Sequence, residues 1–163
     1  MIKILFVCMG NICRSPTAEG VMKSLVKKAG KEKEIFVDSA GTSGWHEGGC
    51  PDARSISCAK DHGVNIKNLT SRKLLADDFK DFDLILVMDE QNLRDVQKKR
   101  PYGDADYDRA KVQLLLDYAP EYGFEVPDPY YLDGFDNVYE MIEEACKNLL
   151  TELMQSTLTM ILR

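Results

Sequence analysis

A thiol at Cys8, a guanidinium at Arg14 and a hydroxyl at Ser15 fall close together in the stretch Cys8-Met9-Gly10-Asn11-Ile12-Cys13-Arg14-Ser15-Pro16. If a strand delivers Cys8 and a helix begins near Pro16, the backbone N–H groups of Met9 to Cys13 converge on one point, and the helix dipole adds partial positive charge there. Gly10 allows a tight path, and Asn11 is among the few non-glycine residues that tolerate positive φ. Arg14 offers a planar fork that matches two oxygens of a tetrahedral oxyanion. The same surroundings favour a thiolate over a thiol, so Cys8 is the candidate nucleophile. Ser15 is placed to donate a hydrogen bond to its sulfur. The Cys-x5-Arg spacing alone arises readily by chance, and an inert buried thiol beside a solvated arginine is its bland reading. The flanking elements decide between the two.

Those elements are legible as apolar patterning. Ile2 to Val7 is a short apolar, β-branched run ended by Gly10, which predicts a strand buried on both faces. Pro16 suits a first helical turn, and Val21, Met22, Leu25, Val26 and Ala29 follow at helical spacing up to Gly30. A strand at about 34–39 completes a βαβ unit, which is normally right-handed and parallel. Residues 40–50 hold four glycines and read as a long loop. A helix at about 52–62, a strand at 82–87, a helix at 90–99 capped by Asp89, and a strand at 112–116 come next. Residues 117–134 read as an acidic, aromatic surface loop. From Asn137 onward, Val138, Ile142, Ala145, Leu149, Leu153 and Leu158 trace one helical face. The alternation predicts a doubly wound α/β fold with a parallel sheet, in which ligands bind beyond the carboxyl ends of the strands. The loop after strand 1 is such a place.

With 163 residues the chain has the length of one domain, taken as 1–163. Its formal charge of -6 argues against nucleic acid or an anionic membrane as a partner. Residues 1–36 nevertheless carry seven bases and three acids, whereas 117–144 carry nine acids and no base. No secretory signal and no run of about 20 apolar residues is present. Five cysteines, Cys8, Cys13, Cys50, Cys58 and Cys146, cannot all pair, which points to free thiols in a reducing cytoplasm.

The stretch Val7 to Pro16 resembles the signature loop of the low-molecular-weight protein tyrosine phosphatases. Further stretches match in order: Asp38-Ser39-Ala40-Gly41-Thr42, Trp45, Asp61-His62-Gly63, Val87 to Leu93, and Val126-Pro127-Asp128-Pro129-Tyr130-Tyr131. The resemblance implies a four-stranded parallel sheet with helices on both faces, no metal or other cofactor, and hydrolysis through a phosphocysteine. It implies Cys8 as nucleophile, Arg14 as phosphate clamp, Asp128 as general acid, Ser15 assisting the thiolate and Asn11 shaping the loop. The expected substrates are tyrosine-phosphorylated proteins.

Residue chemistry fits the acid role, since expelling a phenolate benefits from proton donation and Asp128 sits stiffly between two prolines. Read without the resemblance, the same Asp-Pro is an ordinary turn. Trp45, Tyr130 and Tyr131 are expected to wall a slot deep enough to select phosphotyrosine over phosphoserine, their bland reading being partial core or surface patches. Cys13 either forms a reversible disulfide with Cys8 or packs beneath the loop. Ser39 and Asp89 are expected in a hydrogen-bonded layer under the loop. Asn68 stands where many family members carry a histidine. A thioredoxin-coupled arsenate reductase would need two relay cysteines after the third strand, and 83–100 has none. A silent phosphotyrosine-binding module would have no use for Asp128. A monomer or weak dimer is expected.

Overall fold

The computed structural model describes residues 1–161, with side chains through residue 156. The side chain of Leu158 and the last two residues of the expected 1–163 domain lie outside the described residues. In chain order the elements are β1 (Ile2–Cys8), α1 (Arg14–Lys28), β2 (Ile35–Gly41), α2 (Ala53–Asp61), α3 (Asp78–Asp81), β3 (Leu84–Val87), α4 (Glu90–Lys99), β4 (Lys111–Leu114), α5 (Pro129–Leu132) and α6 (Phe135–Ile161). The four strands form one parallel sheet in the order β2-β1-β3-β4. The expected doubly wound fold is present.

β1 is central and pairs on both sides, with Ile4 beside both Val37 and Leu84. Its side chains alternate between two cores, as strand geometry requires. Ile4, Phe6 and Cys8 face α1, α2 and α6, packing with Met22, Ala59, Tyr139 and Ile142. Leu5 and Val7 face the other layer, with Phe79 of α3 and Val96 of α4. Chain flow leaves β1 toward one face and β3 toward the other. The crevice between their carboxyl ends is therefore the switch point where such sheets bind ligands.

Five details depart from the sequence reading. α1 begins at Arg14 rather than Pro16, because Thr17 bonds back to the Cys13 carbonyl through both its N–H and its hydroxyl. Pro16 thus occupies the third helical position, where its missing N–H is still no loss. β4 stops at Leu114 and a 3-10 turn, Leu115–Tyr118, takes over. The 117–134 stretch is more than surface, since it contains α5 and buries Val126 and Pro129. α6 starts at Phe135, two residues before the expected Asn137. α3, which the apolar pattern did not reveal, is a single turn.

Candidate active site

β1 ends at Cys8 and α1 starts at Arg14, so residues 9–13 must turn through a bowl. Asn11 makes the turn at φ 55°, the left-handed value its side chain type tolerates. Gly10 is not in that region. Its use is closeness, because a Cβ there would sit 3.2 Å from the His46 ring. Gly41 is needed more strictly, since a Cβ would lie 2.8 Å from the Met9 carbonyl and 3.0 Å from that of Ser43.

The loop's carbonyls are tied outward. Cys8 O accepts from Thr42 N, Met9 O from Ser43 N, and Ile12 O from Asp52 N, at 2.8–2.9 Å. Asn11 O accepts from the Ser71 hydroxyl. Among the described residues, no backbone N–H of residues 9–13 donates to another group of the chain. Five donors without an intrachain acceptor and one helix start therefore belong to this loop, which suits it to holding a tetrahedral anion.

Beneath the bowl, Cys8 Sγ lies 3.0 Å from Ser15 Oγ. Asn11 Nδ2 donates to Ser15 Oγ at 2.7 Å and to Ser39 Oγ at 2.9 Å, and Ser39 in turn donates to the buried Glu19 at 2.6 Å. Asn11 Oδ1 accepts from Arg72 N at 3.0 Å. Arg72 is itself fixed, its guanidinium bridging Asp38 and Asp78. Ser39 thus belongs to the expected supporting layer. Asn68 does not, being exposed. Ser71 and Arg72 reach Asn11 instead.

Arg14 is buried and spans the switch point. Its Nη1 donates to Asp89 at 2.6 Å and to Val126 O at 3.1 Å, and its Nη2 stands 3.5 Å from Asp128 Oδ2. Burial is the largest influence on this guanidinium and opposes its charge. Cys8, Asp89 and Asp128 together outweigh it and raise the pKa above the ordinary arginine value. Asp89 thus touches the clamp directly while also capping α4 through Asn92 N at 2.7 Å. Asp128 caps α5, accepting from Tyr130 N at 3.0 Å, so its carboxylate is oriented at the rim. Burial pushes the Cys13 thiol up to about 12, the hydrogen bond with Ser55 working the other way.

Above the bowl is a cavity of about 170 Å³, floored by Cys8, Ile12, Cys13 and Arg14 and walled by Trp45, His46, Asp128, Tyr130 and Tyr131. The two tyrosine rings meet edge to face at 4.9 Å. Trp45 lines the mouth but is 90% exposed, so little of it packs against the rest of the chain. Of the residues expected at the site, Trp45, Asp128, Tyr130 and Tyr131 line this cavity together with Cys8 and Arg14, whereas Asn11, Ser15, Ser39 and Asp89 lie outside its lining. Sequence reasoning missed His46, Glu19, Ser71, Arg72 and the Val126 carbonyl. Of these, only Glu19 had a signal, four residues after Ser15 on the same helical face.

Fold and site together define a phosphate-ester hydrolase built on a doubly wound sheet. A sequence profile of the low molecular weight phosphotyrosine protein phosphatases matches residues 3–158. The low molecular weight phosphotyrosine protein phosphatase of Schizosaccharomyces pombe is 44% identical over 156 residues, covering 93% of this chain and 97% of the relative. A solved protein tyrosine phosphatase from Entamoeba histolytica superposes with TM-score 0.87 at 38% identity, covering 96% and 99% of the two chains. A solved Drosophila arginine phosphatase superposes with TM-score 0.85 at 36% identity, covering 93% and 98%. The chain belongs to the low molecular weight phosphotyrosine protein phosphatase family and is a hydrolase. No helix among the described residues is long and apolar enough to cross a membrane.

Proposed function

We propose that this chain hydrolyses phosphotyrosine in proteins, and small aryl phosphates, through a phosphocysteine on Cys8. One observation carries the reading: Cys8, whose sulfur lies beside Ser15, shares a cavity with Arg14 and Asp128, and the loop between Cys8 and Arg14 has five uncommitted N–H groups.

The phosphoryl oxygens rest on the loop amides and Arg14, and the Cys8 thiolate attacks phosphorus in line. As the P–O bond breaks, protonated Asp128 gives its proton to the departing phenolate. Water then attacks the phosphocysteine, Asp128 takes a proton from it, and the P–S bond breaks to return thiolate and phosphate. The Ser15 hydroxyl donates to the sulfur as negative charge returns to it. Preorganised donors of this kind usually supply the largest share of transition-state stabilisation.

Ile12, Trp45, Tyr130 and Tyr131 present ring-sized apolar surface to the leaving group, which supports phosphotyrosine over phosphoserine. A Drosophila relative named an arginine phosphatase makes phosphoarginine the rival substrate, but among the described residues Asp128 is the one carboxylate lining the cavity to pair with a guanidinium. Cys13 lies in the same loop, and we propose that a peroxide takes two electrons from the pair, oxidising Cys8 to a sulfenic acid that the Cys13 thiol then attacks with loss of water, which leaves a reversible disulfide.

The test is metal-free turnover of p-nitrophenyl phosphate and of matched phosphotyrosine, phosphoserine and phosphoarginine peptides. Cys8→Ser should abolish turnover, and Asp128→Ala should lower kcat by ~10²–10⁴-fold. Full activity of Cys8→Ser overturns the mechanism. Phosphoserine or phosphoarginine turnover equal to that of phosphotyrosine overturns the specificity.

A further inference from the structure

Away from this site, one thiol, one imidazole and one carboxylate converge where α2 meets α6. Cys58 and His62 are four residues apart, in the last turn and at the C-cap of α2, so one helical turn brings them to the same side. Asp136 approaches from the first turn of α6. One ligand atom from each residue lies within 4.8 Å of the other two. Cys58 Sγ donates to Asp136 Oδ1 at 3.3 Å.

The surroundings suit a cation. His62 Nδ1 lies 2.9 Å from the Cys58 carbonyl oxygen, and a carbonyl can only accept, so Nδ1 carries the proton and Nε2 the lone pair. Metal-binding histidines are set up in this way, with one ring nitrogen donating to a backbone carbonyl and the other free to coordinate. The His62 ring is also stacked on Tyr139, with centroids 4.0 Å apart and planes 19° from parallel, which fixes its plane. Tyr139 is buried, and its hydroxyl has no hydrogen-bond partner. Asp136 forms no ion pair among the described residues. The nearby Arg54 is committed to Asp52 and lies over Phe135. Asp61 adds further negative charge near Cys58.

We propose that Cys58, His62 and Asp136 bind a zinc-class divalent cation that ties the end of α2 to the start of α6. Thiolate, imidazole and carboxylate together select a borderline-soft ion, with water completing the tetrahedron. On binding, the Cys58 thiol loses its proton to solvent as the sulfur–metal bond forms, and Asp136 exchanges that S–H for the ion. Tetrahedral ligation sets ligand atoms about 3.2–3.8 Å apart. Ligand atoms at that 4.8 Å limit close by about 1 Å through rotation of the exposed Asp136 carboxylate, while the His62 ring stays in its stacked plane. The brace connects two site-bearing segments: α2 follows Asp52, whose N–H holds the Ile12 carbonyl, and α6 follows the loop that carries Asp128.

The site is independent of the catalytic reading and is tested without an activity assay. Cobalt(II) is titrated into the Cys8→Ser protein, which lacks the competing nucleophile, while the thiolate-to-cobalt charge-transfer band is followed. One equivalent should saturate the band. Cys58→Ser should abolish it, and His62→Ala or Asp136→Asn should weaken binding by more than the ~10–100-fold that loss of an outer-sphere partner brings. Zinc should raise the melting temperature of the Cys8→Ser protein but not of the Cys8→Ser/Cys58→Ser protein, circular dichroism confirming that both are folded. Absence of the band, or its survival in folded Cys58→Ser protein, overturns the proposal.

Discussion

Asn11→Ala removes the residue on which the phosphate loop's shape most depends. Asn11 is buried, and its side chain makes three hydrogen bonds, to Ser15, Ser39 and the Arg72 N–H, at 2.7, 2.9 and 3.0 Å. A typical intramolecular hydrogen bond contributes about 1 kcal/mol net. Alanine at φ 55° adds roughly 1–2 kcal/mol for the left-handed backbone. Alanine should therefore destabilise the protein by about 4–5 kcal/mol. Asn11→Gly loses the same bonds without the conformational cost, so it should lose only about 3 kcal/mol. Urea denaturation of wild type and both variants gives the three midpoints, and p-nitrophenyl phosphate turnover reports on the loop. Both variants should lose kcat together, since Ser15 is then no longer held under Cys8. An alanine variant within 1 kcal/mol of wild type refutes the network's importance. Equal losses in alanine and glycine refute the backbone argument.

Three further outcomes follow from the same structure. Gly41→Ala forces a methyl group against the Met9 and Ser43 carbonyls and should cost about 1–3 kcal/mol of stability and lower kcat, whereas retention of both shows that the loop shifts freely. Asp52 is held below the usual carboxylate range, chiefly by its hydrogen bond from Arg54, so its stabilisation is present above pH ~4 and is lost as pH falls through its folded value. Asp52→Asn still caps α2 and should flatten the acid limb of stability by on the order of 0.5 kcal/mol, an unchanged limb counting against the pair. Burial raises Cys13 to about 12 and raises Cys146 as well, so the stability these thiols confer is complete below pH ~8.5 and declines as pH rises toward 12. Under reducing conditions the denaturation midpoint should fall over that range, and less steeply in Cys146→Ala. A midpoint that stays level across it refutes the assignment.

Much of this protein was legible in one dimension. The run Ile4 to Val7 is apolar at every position because a central parallel strand is covered on both faces, and that signal survives without any neighbour. Cys8, Asn11, Arg14 and Ser15 share one turn between a strand and a helix, so adjacency in sequence already made them adjacent in space. Asp128 was legible only through the family resemblance, because its place between two prolines reads by itself as an ordinary turn. Tertiary structure alone decided that Arg14 meets Asp89 and Asp128, more than seventy residues away, and that Asn11 is held by Ser71 and Arg72 rather than by Asn68. It also decided that His46 lines the cavity and that Cys58, His62 and Asp136 gather where α2 meets α6. The reason is physical. Periodicity records which face of an element is buried, whereas a polar side chain in a loop has no period, and its partner depends on how two separate cores stack about one sheet.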